Sequence, residues 1–216
     1  TELIMYEIIE NGHDSERAMK AFQRMNSMHG SFDISNDDFL YVLSTFIFTP
    51  IFWLDKFAWR KPSRKEKRAI FHFFREVGLK MNIKNIPKDY REFKAFHMKY
   101  EKENFKFSES NRAVAEYTRD LLISFFLPKQ LNFVGRSITN CLMDEPLLDA
   151  MGYNKPNPIL KAFVMIFLRV RMWFMSILGD KKKAVYGTTK KRSSYPKGYN
   201  IEDIGTFPNK VFSSVA

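Results

Sequence analysis

An all-α fold follows from three features of this 216-residue sequence. Large, adaptable side chains dominate it: 22 Phe and 11 Met stand against 9 Gly, a balance that suits packed helices better than turn-rich sheets. Apolar residues recur at three- and four-residue intervals over long segments. Start and stop signals punctuate the chain often enough to mark about eight helices. At 45% hydrophobic residues the chain can fill one core, and no internal repeat breaks it up. Residues 1–179 read as a single multi-helix domain and residues 180–216 as an irregular basic tail.

Each element has a local reason. Thr1 to Asn11 is helical in composition, with Leu3, Ile4 and Ile8 inward, and Gly12 is a natural stop. Asp14 or Ser15 caps the next helix, Glu16 to His29, in which Ala18, Phe22, Met25 and His29 follow 4-3-4 spacing and share one face. Gly30 ends it. Ser35 and Asp38 have capping-box spacing, and Ile34 with Phe39 has the spacing of a hydrophobic staple. The helix they open is expected to bend or break at Pro50 before continuing toward Trp59. Ser63 and Glu66 repeat the capping box and open a helix closed by Gly78. Further helices are expected over Asp89 to Glu103, over Asn111 to Leu127, from Pro128 with an interruption at Pro146, and over Ile159 to Leu178. After Gly179, basic pairs, turn residues and scattered aromatics follow without a period, as in an extended, partly ordered tail.

The net charge of +11 is mostly a property of that tail, since the last 36 residues hold eight basic and two acidic side chains. Such a segment can meet the phosphates of nucleic acid or of anionic lipid, with salt-dependent affinity. No RNP, zinc-finger or helix-turn-helix signature accompanies it, so nucleic acid is not the expected partner. The lone cysteine, Cys141, permits no internal disulfide and no cysteine-based metal site, and its apolar surroundings in sequence predict simple burial. The chain opens at Thr1 in sequence that is already helical, which reads as a fragment or a processed product. Two runs mimic membrane spans. Phe39 to Leu54 lacks charge but is short and contains Pro50, and Ile159 to Leu178 carries Lys161, Arg169 and Arg171. Both read as core or interfacial helices.

The chain lacks the phosphate-binding, dinucleotide-binding, zinc-protease and serine-hydrolase motifs, which argues against kinase, Rossmann and hydrolase chemistry. Asp37 and Asp38 point about a hundred degrees apart on a helix, so capping explains them better than paired-carboxylate catalysis. His13, His72 and His97 read as surface or half-core residues. His29 stands apart because its stripe partners are Ala, Phe and Met. A single imidazole on a soft apolar face suffices as the axial ligand of a haem iron, whereas a helix-terminal histidine can also cap carbonyls and complement the dipole. The residues alone leave both roles open.

Three longer stretches carry a resemblance: NSMHGSFDISNDDFLYVLSTFIFTPIFWLDKF, REVGLKMNIKNIPKDYREFKAFHMKYEKENF and SSYPKGYNIEDIG. Within them, Asn26 and His29 precede an Ile-Ser-Asn-Asp-Asp run, Gly78 to Pro87 forms a Gly-x-x-Met-x-Ile-x-x-Ile-Pro segment, and Tyr100 adjoins Glu101. Together they resemble the fungal MpaB-type endoplasmic-reticulum-bound oxygenases, relatives of the rubber oxygenase catalytic domain, over Thr1 to Gly205. The resemblance implies an all-α fold around haem b, whose iron uses dioxygen to cleave a carbon–carbon double bond in a lipophilic, isoprenoid-like substrate. His29 then matches the proximal ligand of the haem iron, with Asn26, Phe22 and Met25 around the cofactor. Asn26 stands where the rubber-degrading relatives have arginine, and Thr1 matches a threonine of the distal pocket. Their distal arginine, lysine and proposed acidic base lie upstream of the position matching Thr1.

A channel lined by Phe22, Met25, Phe46 and Phe48 is expected to hold the alkene. The resemblance also implies membrane association, at the endoplasmic reticulum through an upstream anchor, with a cytoplasmic address as the other possibility. The competing function is that of a non-catalytic helical protein binding membrane surfaces through its basic tail and the Ile159 to Leu178 helix.

Overall fold

A computed structural model describes residues 2–179, 184–192 and 194–205. Among them the chain forms nine α-helices and no strand beyond an isolated bridge between Arg192 and Tyr195. The all-α expectation holds. The helices are α1 (Glu2–Asn11), α2 (Glu16–His29), α3 (Asn36–Phe57), α4 (Arg64–Lys80), α5 (Tyr90–Asn104), α6 (Glu109–Ser124), α7 (Asn132–Leu142), α8 (Glu145–Ala150) and α9 (Pro158–Leu178).

Most boundaries follow the local signals. Gly12 adopts φ 79°, the left-handed conformation that makes glycine the natural stop after α1. Ser15 accepts from the backbone N–H of Ala18 and caps α2. The full capping box is present at the start of α4: Ser63 accepts from Glu66 N, and the Glu66 carboxylate accepts from Ser63 N at 2.7 Å. Gly30 ends α2 at an ordinary helical φ of −64°, so its glycine freedom is not used.

Two boundaries depart from the sequence reading. α3 runs unbroken through Pro50, and Ile47, Phe48 and Ile51 on either side of the proline are almost fully buried. Their packing outweighs the lost backbone hydrogen bond. α4 passes through Gly78 and ends at Lys80. Gly78 is needed for close approach instead: a Cβ there would lie 2.4 Å from Leu43 Cδ2 and 2.8 Å from Ile86 Cδ1. Among the described residues α3 is the one helix long and apolar enough to cross a membrane, yet it supplies Leu40, Leu43, Ile47, Phe48 and Ile51 to the core.

The chain divides into two compact units. One comprises residues 1–51, 62–93 and 180–216, and the other residues 52–61 and 94–179. In the first, α1 and α2 pack together around Leu3, Ile4, Ile8, Ala18, Ala21, Phe22 and Met25, joined by Val77 of α4. Behind Pro50, Phe48 meets Phe93 edge-on at 5.8 Å, and Phe71 meets Tyr90 at 5.9 Å.

The segment 184–205 has no long helix, as its composition predicts, but it is folded back as a strap over α1 and α2. Ile201 and Ile204 are buried in their core. Glu10 accepts hydrogen bonds from Gly187 N and from both the backbone and the hydroxyl of Thr188, Arg192 pairs with Glu2, and Arg24 Nε donates to Ile204 O at 2.7 Å.

In the second unit Ile123, Leu148, Ala150 and Cys141 are buried. The Arg119 guanidinium lies 4.0 Å from the centre of the Tyr153 ring and donates to Asn140 Oδ1, which gives a mostly buried cation an aromatic face and an acceptor. Cys141 is buried as expected, its Sγ donates to Ser137 O, and burial pushes its thiol up. His97 is more buried than its sequence suggests and meets Glu101 one turn on at 3.2 Å.

Candidate functional site

The first unit contains an apolar cavity of about 260 Å³ bounded by α1, α2, α3, α4 and the loop after α4. Two side-chain ties hold its frame. Asn26, on α2, donates to Lys80 O at 2.9 Å, linking the ends of α2 and α4. Asn36, at the start of α3, donates to Lys84 O and accepts from Lys84 N at 2.8 Å, fixing the loop against α3. Asn82 and Asn85 take left-handed conformations, which asparagine tolerates better than most residues, and this folds Ile83 and Ile86 back inward.

Ile4, Met5, Met25, Met28, Phe46, Phe74 and Met81 supply much of the wall. Its ionisable members are His29 and Asp38. The 4-3-4 stripe of α2 behaves as its spacing predicts: Ala18, Phe22 and Met25 are buried, and His29 sits half-buried where that face meets the cavity. Its ring meets Phe39 edge-on at 5.4 Å. Its Nδ1 is buried and has no hydrogen-bond partner. A satisfied capping histidine would not leave that nitrogen orphaned. Burial lowers the His29 pKa, so the imidazole is neutral at physiological pH and a lone pair is available.

The other site expectations divide. Met25 and Phe46 line the cavity. Phe22 and Phe48 do not: Phe22 belongs to the α1–α2 core and Phe48 to the aromatic cluster with Phe93. Asn26 acts through its tie to α4 and is not among the lining residues. Thr1 lies outside the described residues. Asp38 donates its backbone N–H to Ser35 Oγ at 3.1 Å in the first turn of α3 and also contributes to the cavity wall, a second role that capping alone had obscured. Val42, Phe74, Met81 and Ile83 also escaped the sequence reading, because only the packing of α3, α4 and the loop after α4 brings them together.

Among the described residues no three His, Cys, Asp or Glu side chains converge, so a metal ion held by protein ligands alone has no set here. A porphyrin asks for something else: one imidazole with a free nitrogen and a soft apolar wall, which His29 and its neighbours provide. The cavity lies just under the usual range of about 300–1,000 Å³ for ligand pockets, so it encloses only part of so large a ring.

The class that fold and site define is an all-α domain with an apolar cavity, lined in part by a histidine whose Nδ1 has no hydrogen-bond partner. The chain belongs to the family described as ER-bound oxygenase mpaB/B'/Rubber oxygenase, catalytic domain, whose model matches residues 9–176. It is similar to the ER-bound oxygenase mpaB' of Penicillium brevicompactum, with 27% identity over 200 residues, covering 85% of this chain and 47% of that protein. It is also similar to the ER-bound oxygenase mpaB of Penicillium roqueforti (strain FM164), with 27% identity over 169 residues, covering 71% of this chain and 56% of that protein. The chain thus spans about half the length of the curated relatives it matches. No solved structure matches it.

Proposed function

We propose that this chain is part of an oxygenase that uses haem b, held through His29, to act with dioxygen on a lipophilic alkene. The observation that supports this most directly is His29, a lining residue of the apolar cavity whose buried Nδ1 has no hydrogen-bond partner, in a family whose members are named oxygenases. When bound, a haem supplies a site at which dioxygen is activated.

The chain's own residues do the rest. His29 offers a neutral nitrogen because burial disfavours its protonated form. Met25, Met28, Phe46 and Phe74 exclude water and accept an apolar chain without demanding hydrogen bonds, which selects for an isoprenoid-like substrate over a polar one. Asp38 is the acidic group of the wall and gives a polar substituent a place to be held. Oxidative cleavage of a carbon–carbon double bond by dioxygen places one oxygen atom on each carbon, so the reaction balances as two carbonyl groups with no external reductant.

The test is an absorption spectrum of the protein expressed with haem supply, beside its His29→Ala variant. A Soret band present in the parent and lost in the variant is the expected result. A band absent from both, or unchanged in the variant, overturns the assignment.

A further inference from the structure

α9 is apolar on the side that faces solvent. Ile159, Phe163, Ile166, Val170, Trp173 and Ile177 recur at intervals of four and three, which puts them on one stripe of the helix. Each is more than half exposed, from 55% at Ile166 to 68% at Ile159, and Trp173 is 65% exposed. Phe167 and Phe174 widen the stripe and are equally open. The opposite side, with Leu160, Val164, Leu168 and Met172, is half-buried, and α9 packs against α7. No residue of this 21-residue helix is fully buried. A soluble surface rarely leaves so long an apolar face uncovered.

The charges say what covers it. α9 carries Lys161, Arg169 and Arg171 and no acidic residue. At a hundred degrees per residue, Arg169 falls on one margin of the exposed stripe and Arg171 on the other. Cations bordering an apolar face, with a tryptophan in it, match a bilayer surface, where acyl chains take the rings and headgroup phosphates take the guanidinium groups. A second copy of the chain would bring the same cationic margins and no acid from this helix to meet them. Three cations along the helix oppose a crossing of the bilayer.

We propose that α9 is an interfacial membrane-docking helix that lies in the plane of a bilayer rich in anionic lipid, with its exposed stripe among the acyl chains and Arg169 and Arg171 at the headgroups. The inference rests on α9 alone and is independent of whether His29 holds a haem.

Flotation of the full chain with phosphatidylcholine vesicles, with and without phosphatidylserine, tests this. The parent protein is expected to float with the phosphatidylserine vesicles, and its tryptophan emission to shift to shorter wavelength, a shift absent in Trp173→Phe. Phe163→Glu combined with Phe167→Glu changes only exposed positions, so its circular dichroism is expected to stay as in the parent while vesicle binding is lost. Arg169→Gln with Arg171→Gln is expected to weaken binding to the anionic vesicles about thirtyfold. Parent protein that stays unbound, or a double glutamate variant that binds equally well, overturns the proposal. So does a lipid-free dimer that the glutamates dissociate, if the parent shows no vesicle binding.

Discussion

The hydroxyl of Tyr199 donates to Oε1 of Glu7 at 2.6 Å, joining residues 192 positions apart. Glu7 has no exposed surface, and Arg17 closes the arrangement with two hydrogen bonds of 2.6 and 2.8 Å to the same carboxylate. The strap therefore ends in a buried charge that it helps to satisfy. Tyr199→Phe removes a hydrogen bond to a charged group and is expected to cost about 1.5–3 kcal/mol in urea unfolding. Arg17→Met is expected to cost more, because it leaves the buried carboxylate without its cation. Equal stability of Tyr199→Phe and the parent would show that the strap is not held by this bond.

The same group sets limits on the pH range of stability. Burial alone would raise the Glu7 pKa, but hydrogen bonds from Arg17 and Tyr199 outweigh it and hold the carboxyl below its ordinary 4.5. That contribution is present above pH 4.5 and is lost as the pH falls through the lowered folded value. Burial and the bond to Glu7 push Tyr199 from 10.0 up to about 12, so its contribution is intact below pH 10 and is lost as the pH rises toward 12. Thermal unfolding across both windows is expected to show the two losses, with Glu7→Gln removing the acid one and Tyr199→Phe the alkaline one.

His29 gives a third titration. Because burial lowers its pKa from 6.5, the unfolded chain takes up a proton first as the pH falls, and the cofactor-free protein loses stability below pH 6.5. The imidazole resonance in an NMR titration is expected to move with a midpoint below 6.5. A midpoint above it would mean that an acidic partner holds the ring, contrary to the orphaned Nδ1.

Gly78 is expected to resist substitution even though alanine is the better helix former. The gain of about 1 kcal/mol in helix propensity is set against overpacking that costs about 1–3 kcal/mol. The added methyl would meet Leu43, which lines the cavity, so Gly78→Ala should both destabilise the fold and narrow the site. Combining it with Leu43→Ala should cost less than the sum of the two, measured in a double-mutant cycle. Strict additivity would mean that the two side chains do not compete for space.

Local chemistry made much of this legible. The caps at Ser15 and Ser63, the stop at Gly12 and the stripe from Ala18 to His29 are set within a few residues of chain, and they appear in the structure as their spacing predicts. Pro50 and Gly78 misled because each is judged locally as a breaker, whereas buried neighbours decide the outcome at both positions. The cavity was half legible. His29 and Met25 share the stripe of one helix, but Phe74, Met81 and Ile83 reach the wall from elements some fifty residues away. Phe22 and Phe48 were expected there from the channel that the resemblance implies, and core packing holds both. The strap was not legible at all, since a segment without a period gives no sign of what its scattered tyrosines and isoleucines will touch.

That strap also fixes an order of events during synthesis. α1 and α2 are made well before the strap, since the residues that cover Glu7, Glu10 and Arg24 follow 177 to 192 positions later. At about 5–20 residues per second, the helix pair that carries His29 waits roughly ten to forty seconds for its cover. For that interval its carboxylates and part of its core face are without the strap's cover. The strap thus closes over helices made long before it, and these contacts of high sequence separation form late.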